Sequence, residues 1–547
     1  MEHPWTPPGP GPWQQDSAHN PVAQTLIMQA LYPSGFKRGF EETFANYGML
    51  LDRLALAIVN GFVYHQPQPF DMPGPDGPPS PEQIGAEIGR RTGVAAAAFE
   101  QKIWRAALAR WDDELKPASI ARHRRLGDVE LAALDATELA AHVRACMDQI
   151  AEMGYQHHRH NLDAMVPVGD FVLRASALTG RSPVELLVSF EGCSPVSNVC
   201  APEIEAAVAA VNADPGAGAL FDLPAAEAMA ALRERFGEVD DWVRNVHYRL
   251  MDGFDLPNPT IGEQPALLLG RLRAAMAADR SAVGRAGDAY VAAVRAEVPS
   301  EHHAEFDELL DEARLVYRLR DERGIFSDIA AIGLLRLALL EVGRRRVAAG
   351  AQHDVEDILD VSVAELDDIL DGGTGPTADA VAARRAARVA ATAAGPPRFL
   401  GDPPPPPPPV DQLPPPLARV MSAVGFLIDG VLGQLEEAAG DDRTIVGIPG
   451  NAGVYEGRAH LVRSIDDLLT MPDGAVLVAP TTGEAFNSML HLVGAIVTDH
   501  GSFASHAAIV AREMGFPAVV GTNDGTRRIA QGDRVRVDGA AGQVTVL

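Results

Sequence analysis

The chain has 547 residues, 47% of them hydrophobic, and a formal net charge of −28. This length allows roughly two to four domains with a large core, and the negative charge argues against binding to nucleic acids or membranes. No apolar run of about 18 residues suggests a membrane span, and residues 1–5 lack the basic and apolar regions of a secretory signal. The three cysteines have no metal-type spacing and cannot all pair internally, which favours a reducing, cytoplasmic location.

The N-terminal two thirds of the sequence are mainly helical in pattern. Residues 1–21 are rich in proline and glycine and predict an extended arm. Residues 22–395 are rich in alanine, and in residues 305–349 apolar side chains recur every three or four positions, as a buried helix face requires. Loops such as residues 66–81 separate further predicted helices, which cover residues 203–211, 225–236 and 265–298. We therefore predict a large, mainly α-helical domain over residues 22–395.

A proline-rich linker is predicted over residues 396–416. Seven consecutive prolines occupy positions 403–409, and three more occupy positions 414–416. Such a run adopts the polyproline II conformation at about 3.1 Å per residue, so seven prolines span roughly 20 Å. The segment predicts a stiff tether for a domain that moves. A low-complexity insert and a docking motif for a proline-binding partner are the alternatives.

The pattern changes again after the linker. Residues 417–440 predict a connecting helix with one apolar face. Residues 441–547 then alternate between short apolar runs and glycine or proline turns, which is typical of strands. The predicted strands cover residues 444–447, 454–457, 458–462, 475–479, 495–497 and 534–537. The expected fold class is therefore multidomain, with a C-terminal α/β domain following the helical one.

His506 carries the strongest functional signal. A predicted strand over residues 495–497 ends in a small polar loop, and a helix follows with His506 at or near its first turn. The first amides of a helix have no internal partners, and the helix dipole makes that end positive, so an anion is stabilised there. The same field favours the neutral, nucleophilic imidazole. His506 is therefore well placed to carry a phosphoryl group. The alternative is a histidine that caps an ordinary helix.

The same segment resembles the phosphohistidine loop of the PEP-utilising enzymes, which include PEP synthase, pyruvate phosphate dikinase, rifampin phosphotransferase and phenylphosphate synthase. Their loop has the form Gly-Gly-x-x-Ser/Cys-His-Ala-Ala, and Ser502 stands here where the second glycine is usual. The matching segments are residues 505–508 (Ser-His-Ala-Ala), 511–513 (Ala-Arg-Glu) and 517–521 (Pro-Ala-Val-Val-Gly). The resemblance implies that residues 441–547 form a swivelling domain and that His506 is phosphorylated during turnover.

Several neighbours of His506 are candidates for supporting roles. The amides of Gly501, Ser502 and Phe503 are candidates for an anion cradle. Ser505 either hydrogen-bonds the phosphoryl oxygens or caps the helix. Thr481 and Thr482, at the end of another predicted strand, either contact phosphate or serve only the turn. Arg512 lies further along the helix, where a structural or docking role is expected.

The helical region resembles, more weakly, the substrate domain of rifampin phosphotransferase. The clearest stretch is residues 314–323. In the family an acidic residue there is often followed three positions later by a lysine. Asp321 fits the acidic position, whereas Gly324 replaces the lysine. Arg320 or Arg323 could supply positive charge but would be a poor proton acceptor. The alternative is a solvated helix with ion pairs.

His157 and His160 belong to the densest histidine cluster. On a helix the two side chains would share a face, where they could act as general base on an acceptor hydroxyl or bind a metal. No acidic or cysteine ligand lies at a fixed offset, so we expect no metal site. An ordinary polar helix face is the default interpretation.

Lysine is rare, since the sequence contains only Lys37, Lys102 and Lys116. Kinase nucleotide sites usually place a lysine on the phosphates, and no Gly-x-x-x-x-Gly-Lys-Ser/Thr loop occurs. An arginine-rich genome would also explain the count. We nevertheless expect neither a complete ATP site nor any tightly bound cofactor in this chain.

The resemblance implies a machine of three parts: an ATP-grasp domain, a substrate domain and a mobile histidine domain. We expect this chain to supply the last two, without the PEP/pyruvate barrel. A separate ATP-grasp partner, holding ATP and Mg²⁺, would phosphorylate His506 from the β-phosphate, and the group would pass to a hydroxylated small molecule. The alternatives are a non-enzymatic phosphocarrier or regulatory module, and a degenerate protein that only binds a ligand.

Overall fold

The computed structural model describes the chain except for residues 1–4, 18, 73–76, 252, 280–283, 403–408, 433–442, 464–466, 469, 483–485, 487–491 and 504. The chain divides into two compact units that alternate along the sequence. Unit 1 comprises Met1–Asp163, Tyr248–Pro259 and Arg323–Ser422, and unit 2 comprises Ala164–His247, Thr260–Glu322 and Ala423–Leu547. The helical region predicted over residues 22–395 therefore contributes to both units.

Most of the regular structure is helical, and the helices extend from Leu26 to the C-terminal region. In chain order the α-helices are α1 Leu26–Tyr47, α2 Pro81–Gln101, α3 Ile103–Arg110, α4 Lys116–Gly127, α5 Ala136–Arg159, α6 Asn161–Thr179, α7 Glu205–Asn212, α8 Ala225–Arg235, α9 Gly237–Val246, α10 Pro265–Ala277, α11 Arg285–Glu297, α12 His303–Tyr317, α13 Leu319–Ile325, α14 Asp328–Ala348, α15 Val363–Leu370, α16 Ala378–Ala394, α17 Pro415–Leu432, α18 His506–Met514 and α19 Gly525–Arg528. None of the described helices is long and apolar enough to cross a bilayer.

The strands form one small sheet in unit 1 and one large sheet in unit 2. They are β1 Trp13–Gln15, β2 Leu51–Val59, β3 Phe62–Pro69, β4 Phe399–Leu400, β5 Thr444–Val446, β6 Ile448–Asn451, β7 Val454–Leu461, β8 Ala475–Ala479, β9 Val493–Thr498, β10 Ala518–Val520, β11 Arg534–Asp538 and β12 Gln543–Val546. The small sheet has the order β2-β3-β1-β4, and the large sheet has the order β5-β12-β11-β7-β8-β9-β10-β6.

Unit 1 is built around α1, α5 and α14. Apolar side chains of α1, such as Met28 and Phe36, share one buried core with Ile150 of α5 and Leu335 of α14. The boundaries of these helices are set locally: Thr25 accepts a hydrogen bond from the Met28 amide at the start of α1, and Asp135 forms a capping box with Glu138 at the start of α5. The core holds the C-terminal half of α5, and with it His157, close to α1 and α14.

The small sheet corrects the prediction for the N-terminal region. β2 and β3 form a hairpin where the sequence pattern predicts helix and, from residue 66, loop. The turn is Asn60-Gly61, and both residues have positive φ, 51° and 87°, as the two central positions of a type I′ turn require. Residues 13–15 of the predicted extended arm pair with β3 and β4. The Asn-Gly signal was present in the sequence, but the mainly helical pattern of residues 22–395 as a whole outweighed it.

Two long predicted helices are divided in the structure. Residues 265–298 contain α10 and α11, and residues 305–349 contain parts of α12, all of α13 and α14. The connecting helix begins at Pro415, two residues before the predicted start, and is described as far as Leu432. Its predicted end at residue 440 lies outside the described residues, as does most of the proline run, residues 403–408.

The large sheet is parallel at its centre and antiparallel at its flanks. β7, β8, β9 and β10 run parallel to one another in that order, while β11, β12 and β5 extend one side with antiparallel pairs. The predicted strands 454–457 and 458–462 are the single strand β7, and β12 was not predicted. Every residue of β8 is buried, as expected for a central parallel strand. The loops at the carboxyl ends of β8, β9 and β10 therefore lie at one edge.

The close contact between β7 and β9 provides a test of this sheet. A Cβ atom at Gly494 in β9 would overlap the ring of Tyr455, whose hydroxyl donates to Gly474 O at 2.8 Å. We expect Gly494→Ala to lower the free energy of unfolding by about 1–3 kcal/mol, because overpacking displaces this ring. Denaturant unfolding of the full chain measures the change.

The matched control is Gly93→Ala on the exposed face of α2, where a new Cβ meets nothing within 4 Å. There we expect a gain of about 0.5–1 kcal/mol from helix propensity. Equal stabilities of the two variants would contradict the described contact.

Candidate active site

Three loops converge at the carboxyl edge of the parallel strands. The loop after β9 is hydrogen-bonded to the loop after β8, since Asp499 N donates to Ala479 O at 3.1 Å and His500 N to Pro480 O at 2.9 Å. On the other side Thr522 N, after β10, donates to Thr498 O at 3.0 Å. Ligand sites of open α/β sheets lie at this edge. The loop that leads to His506 is thus fixed on both sides.

His506 is the first residue of α18, and its N-cap is Ser505. The first bond across the start of the helix runs from Ile509 N to Ser505 O at 3.0 Å, so the amides of residues 506–508 precede the regular hydrogen-bond ladder. The His506 side chain is half-buried. The imidazole therefore lies where the helix dipole is positive and solvent has access, as the sequence predicts for its position.

The loop before α18 has a backbone that favours glycine. Gly501 has φ +115°, and a Cβ there would come within 2.8 Å of Ser505 Oγ. Ser505 Oγ donates to Ser502 O at 2.7 Å, and it makes no capping bond to the described helix amides. Of the two roles considered for Ser505, the side-chain cap is therefore not formed. Ser502 and Phe503 are buried.

Three buried polar atoms next to this loop have no hydrogen-bond partner among the described residues: Thr482 Oγ1, Thr498 Oγ1 and His500 Nδ1. Thr498 Oγ1 lies 3.8 Å from the position that a Cβ of Gly501 would take. Burial lowers the pKa of His500, which favours its neutral form. Thr481 is half-buried. Unpartnered polar groups at this edge of the sheet are ones that an incoming phosphoryl oxygen can satisfy.

Asp499 anchors the loop after β9 to the residues that follow β10. Its carboxylate accepts hydrogen bonds from the Thr526 hydroxyl and from Thr526 N at 2.9 Å, and a longer one from Thr522 Oγ1 at 3.4 Å. Asp499 is 6% exposed. It is thus committed to α19 and the β10 loop, and it stabilises the backbone that precedes His506.

Arg512 is a buried residue of α18. Its contacts are structural, which is one of the two roles expected for it. Its Nη1 donates to Gly450 O at 2.7 Å and its Nη2 to Phe503 O at 2.6 Å. Burial lowers the pKa of this guanidinium. The side chain joins α18 to β6 and to the loop that precedes His506, so it is expected to hold that loop in place.

Glu513, which sequence reasoning missed, contacts a loop of the helical part of unit 2. Its Oε2 accepts a hydrogen bond from Gly192 N at 2.7 Å. Burial raises the pKa of this carboxyl to about 8; the carboxylates of Asp321 and Glu191 add to the rise, and the Gly192 amide and Arg512 oppose it. At neutral pH Glu513 is therefore largely protonated in this contact.

The candidate substrate residues fall into separate places. Asp321, in unit 2, accepts hydrogen bonds from Ser194 Oγ and, at 2.6 Å, from Ser197 Oγ. The Arg320 guanidinium lies 5.7 Å from the centre of the Tyr317 ring. This part of α13 is therefore hydrogen-bonded and packed within its own unit, rather than forming only a solvated face.

In unit 1 the two candidate histidines do not share an environment. His157 Nδ1 lies 2.8 Å from Asp328 Oδ2, and Arg323 Nη1 donates to His157 O at 3.4 Å. His160 Nδ1 lies 2.9 Å from Asp163 Oδ2, and its side chain is fully buried. Among the described residues, no group of histidine, cysteine and acidic side chains is arranged to hold a metal ion.

Comparison with known proteins identifies relatives of the C-terminal region. Residues 471–542 match the family of the PEP-utilising enzyme mobile domain. The chain is 41% identical over 152 residues to the chondramide synthase of Chondromyces crocatus, covering 28% of this chain and 4% of that protein. It is 28% identical over 210 residues to the rifampicin phosphotransferase of Bacillus subtilis strain 168, covering 38% and 21%. It is 41% identical over 111 residues to the phosphoenolpyruvate synthase of Aeropyrum pernix, covering 20% and 14%.

These alignments cover only parts of longer proteins, between 4% and 21% of the relatives' own lengths. The 210 residues aligned with rifampicin phosphotransferase exceed the number in residues 441–547. Part of that similarity therefore lies outside the C-terminal domain.

The buried carboxyl of Glu513 gives a pH-dependent stability. A carboxyl whose pKa is raised on folding stabilises the folded state below its unfolded pKa of about 4.3, and this contribution is lost as pH rises through about 8. We expect the melting temperature of the wild-type chain to fall more steeply between these values than that of Glu513→Gln, which keeps a neutral acceptor for Gly192. Thermal unfolding across this pH range measures the difference.

The control is Glu234→Gln at an exposed position on α8. We expect it to follow the wild-type curve. If Glu513→Gln also follows that curve, the carboxyl does not take up a proton on folding.

Proposed function

We propose that the chain is the phosphoryl-carrying component of a dikinase-type phosphotransferase, since its residues 471–542 match the family of the PEP-utilising enzyme mobile domain. In this proposal His506 accepts a phosphoryl group from a separate ATP-grasp partner and transfers it to a hydroxylated small molecule. The observation that carries the proposal is the position of His506, half-buried at the first residue of α18.

The first transfer uses the nucleophilicity of a neutral imidazole. A ring nitrogen of His506 attacks the β-phosphorus of ATP on the partner, a P–N bond forms, and the α–β P–O bond breaks to release AMP. Water then hydrolyses the β–γ bond of the pyrophosphoryl group, which releases phosphate and leaves the β-phosphoryl group on His506. The helix dipole at the start of α18 favours the neutral ring before the attack and the phosphoryl dianion afterwards. The P–N bond keeps the group transferable, which a phosphate ester of serine would not.

The second transfer regenerates the histidine. The acceptor oxygen attacks phosphorus, the P–N bond breaks, an O–P bond forms, and the hydroxyl proton passes to a base. The mobile domain carries the group from the nucleotide partner to the acceptor, and both ATP and Mg²⁺ bind to that partner. The scarcity of lysine in the sequence supports a nucleotide site elsewhere.

Labelling tests the first transfer. The full chain is mixed with candidate ATP-grasp proteins and ATP labelled in the β position, with phosphoenolpyruvate as a second donor. We expect an acid-labile, alkali-stable label on the wild-type chain and its loss in His506→Asn, because the amide cannot form a P–N bond of this type. His353→Asn, at an exposed histidine of unit 1, is the control and should label normally.

A label that persists in His506→Asn would overturn the assignment of the carrier residue. A label that forms on His506 but is discharged to no hydroxylated compound would instead favour the phosphocarrier alternative.

The conformation of the loop offers a second test. Gly501→Ala places a Cβ at φ +115° and within 2.8 Å of Ser505 Oγ, so the loop that precedes His506 must change its conformation. We expect the rate of labelling to fall at least roughly tenfold, or about 1.4 kcal/mol in the barrier. The measurement is the initial rate of label incorporation at saturating partner.

Gly515→Ala is the matched control, since Gly515 also has positive φ, +76°, but a Cβ there meets nothing within 4 Å. It should lose stability by about 1 kcal/mol with little change in labelling rate. If the two variants label at the same rate, the conformation of residue 501 does not matter for the transfer.

A further inference from the structure

Two histidine–aspartate pairs of unit 1 flank a single phenylalanine. His157 Nδ1 lies 2.8 Å from Asp328 Oδ2, and His19 Nδ1 lies 3.0 Å from Asp16 Oδ1. The ring of Phe254 is 5.9 Å from the His157 ring and 6.3 Å from the His19 ring, centre to centre. The residues come from four distant segments of the sequence, so the tertiary structure alone brings them together.

The carboxylates of these pairs are buried, whereas the imidazoles reach the surface. Asp16 and Asp328 are 2% and 0% exposed, while the side chains of His19 and His157 are 48% and 12% exposed. Phe254 is half-buried. Each imidazole therefore lies between a buried aspartate and the ring of Phe254, and each retains some exposure to solvent.

The orientation of His157 is fixed on several sides. Its ring stacks on His158 at 4.6 Å, and His158 Nε2 lies 2.8 Å from the Tyr32 hydroxyl. A Cβ on residue 324 would lie 3.6 Å from His157 Cε1, an ordinary contact distance, so Gly324 borders one edge of the ring. With Nδ1 bound to a carboxylate, the ring presents Nε2 to a ligand, as orienting carboxylates do for catalytic and ligand histidines.

The pair formed by His160 and Asp163 shows what a purely structural pair looks like in the same unit. Its Nδ1–Oδ2 distance is 2.9 Å, nearly that of the His157 pair. The His160 ring, however, is 0% exposed and packs edge-on against Trp111 at 5.6 Å. The two pairs share their local chemistry and differ in access.

We propose that His157, oriented by Asp328, is the proton acceptor for the hydroxyl of the phosphoryl acceptor, and that this acceptor carries a planar apolar ring that packs on Phe254. The inference rests on the proposed function and adds to it the substrate class and the base. In the transfer the hydroxyl proton moves to His157 Nε2 as the oxygen attacks phosphorus, the P–N bond of phosphorylated His506 breaks, and the imidazolium is stabilised by the Asp328 carboxylate.

The charges around the pair set its dependence on pH. Burial raises the pKa of Asp328 to about 8, against the opposing effects of Arg323 and His19. Burial and the Arg323 charge lower the pKa of His157 well below its usual value. His158 and Tyr32 also face the pair, His160 adds to the lowering of the His157 pKa, and Asp16 pairs with His19.

Below about pH 8 the Asp328 carboxyl keeps its proton and donates it to Nδ1, so Nε2 carries a hydrogen and cannot act as a base. Above that pH the carboxylate accepts from Nδ1–H, and Nε2 offers its lone pair. The rate of transfer to the acceptor should therefore rise as pH increases through about 8. The rate at which His506 is phosphorylated need not rise in this range.

The test uses the full chain with 2-naphthol as probe, since it combines a hydroxyl with a planar apolar ring. Binding is followed by the imidazole proton resonances, and we expect the signals of His157 and His19 to shift while that of His160 stays. Phe254→Ala should weaken this binding at least tenfold. An unchanged His157 signal, or a shift only at His160, would overturn the site.

The catalytic role is tested by discharge of the labelled chain to 2-naphthol. In His157→Gln, His506 should be phosphorylated normally, but the transfer to 2-naphthol should be about 100-fold slower, as for loss of a general base. Asp328→Asn should remove the rise of the transfer rate with pH. His160→Gln is the matched control and should discharge at the wild-type rate. Circular dichroism shows whether each variant is folded. If His157→Gln is unfolded, the pH profile of Asp328→Asn tests the role of the pair instead.

Failure of the inference and failure of the proposed function give different results. If His506 is charged but His157→Gln discharges at the wild-type rate, the proposed function stands and the base is another group. If no donor charges His506 while 2-naphthol still shifts His157, the binding site stands without the proposed transfer.

Discussion

The start of α18 at the carboxyl edge of a parallel sheet is the constraint on which the rest of the C-terminal site depends. Parallel strands leave their loops at one edge, and a helix that follows such a loop directs its first amides toward that edge. His506 occupies the first helical position. Two buried hydroxyls without a described partner lie at the same edge of the sheet, Thr498 at the end of β9 and Thr482 after β8. An anion at this point is stabilised by backbone groups that need no positively charged side chain, which suits a chain with so few lysines.

Buried polar residues hold this edge in shape. Asp499 joins the loop to α19, and Arg512 joins the active helix to β6 and to Phe503 O. Removing either would leave buried carbonyls or amides without partners, which destabilises a fold more than the bond itself contributes. Glu513, the next residue along α18, instead contacts Gly192 in the helical part of the same unit. One helix therefore combines His506, the residue that supports its loop, and a proton-dependent contact.

Two histidine–aspartate pairs of unit 1 differ in the burial of their imidazoles, and burial limits what each pair can do. His157 and His160 lie close in sequence, and each pairs through Nδ1 with an aspartate. Trp111 seals His160, whereas His157 lies beside the half-buried Phe254. The His160–Asp163 pair can only contribute to stability, because a base must reach its substrate. The His157–Asp328 pair retains partial exposure, 12% at the His157 side chain, and burial raises the pKa of its aspartate to about 8.

The sequence by itself determined what depends on neighbours along the chain: the strand, loop and helix start around His506, and the positive helix end that follows from them. It also contained the Asn60-Gly61 turn of the β2–β3 hairpin, although the mainly helical pattern of residues 22–395 outweighed it. Only the tertiary structure decided which histidine is accessible, that His157 meets Asp328 from α14, and that Asp16, His19 and Phe254 join them. The physical reason is that dipoles and turns act over a few residues, whereas burial and pairing across more than a hundred residues depend on how the helices pack.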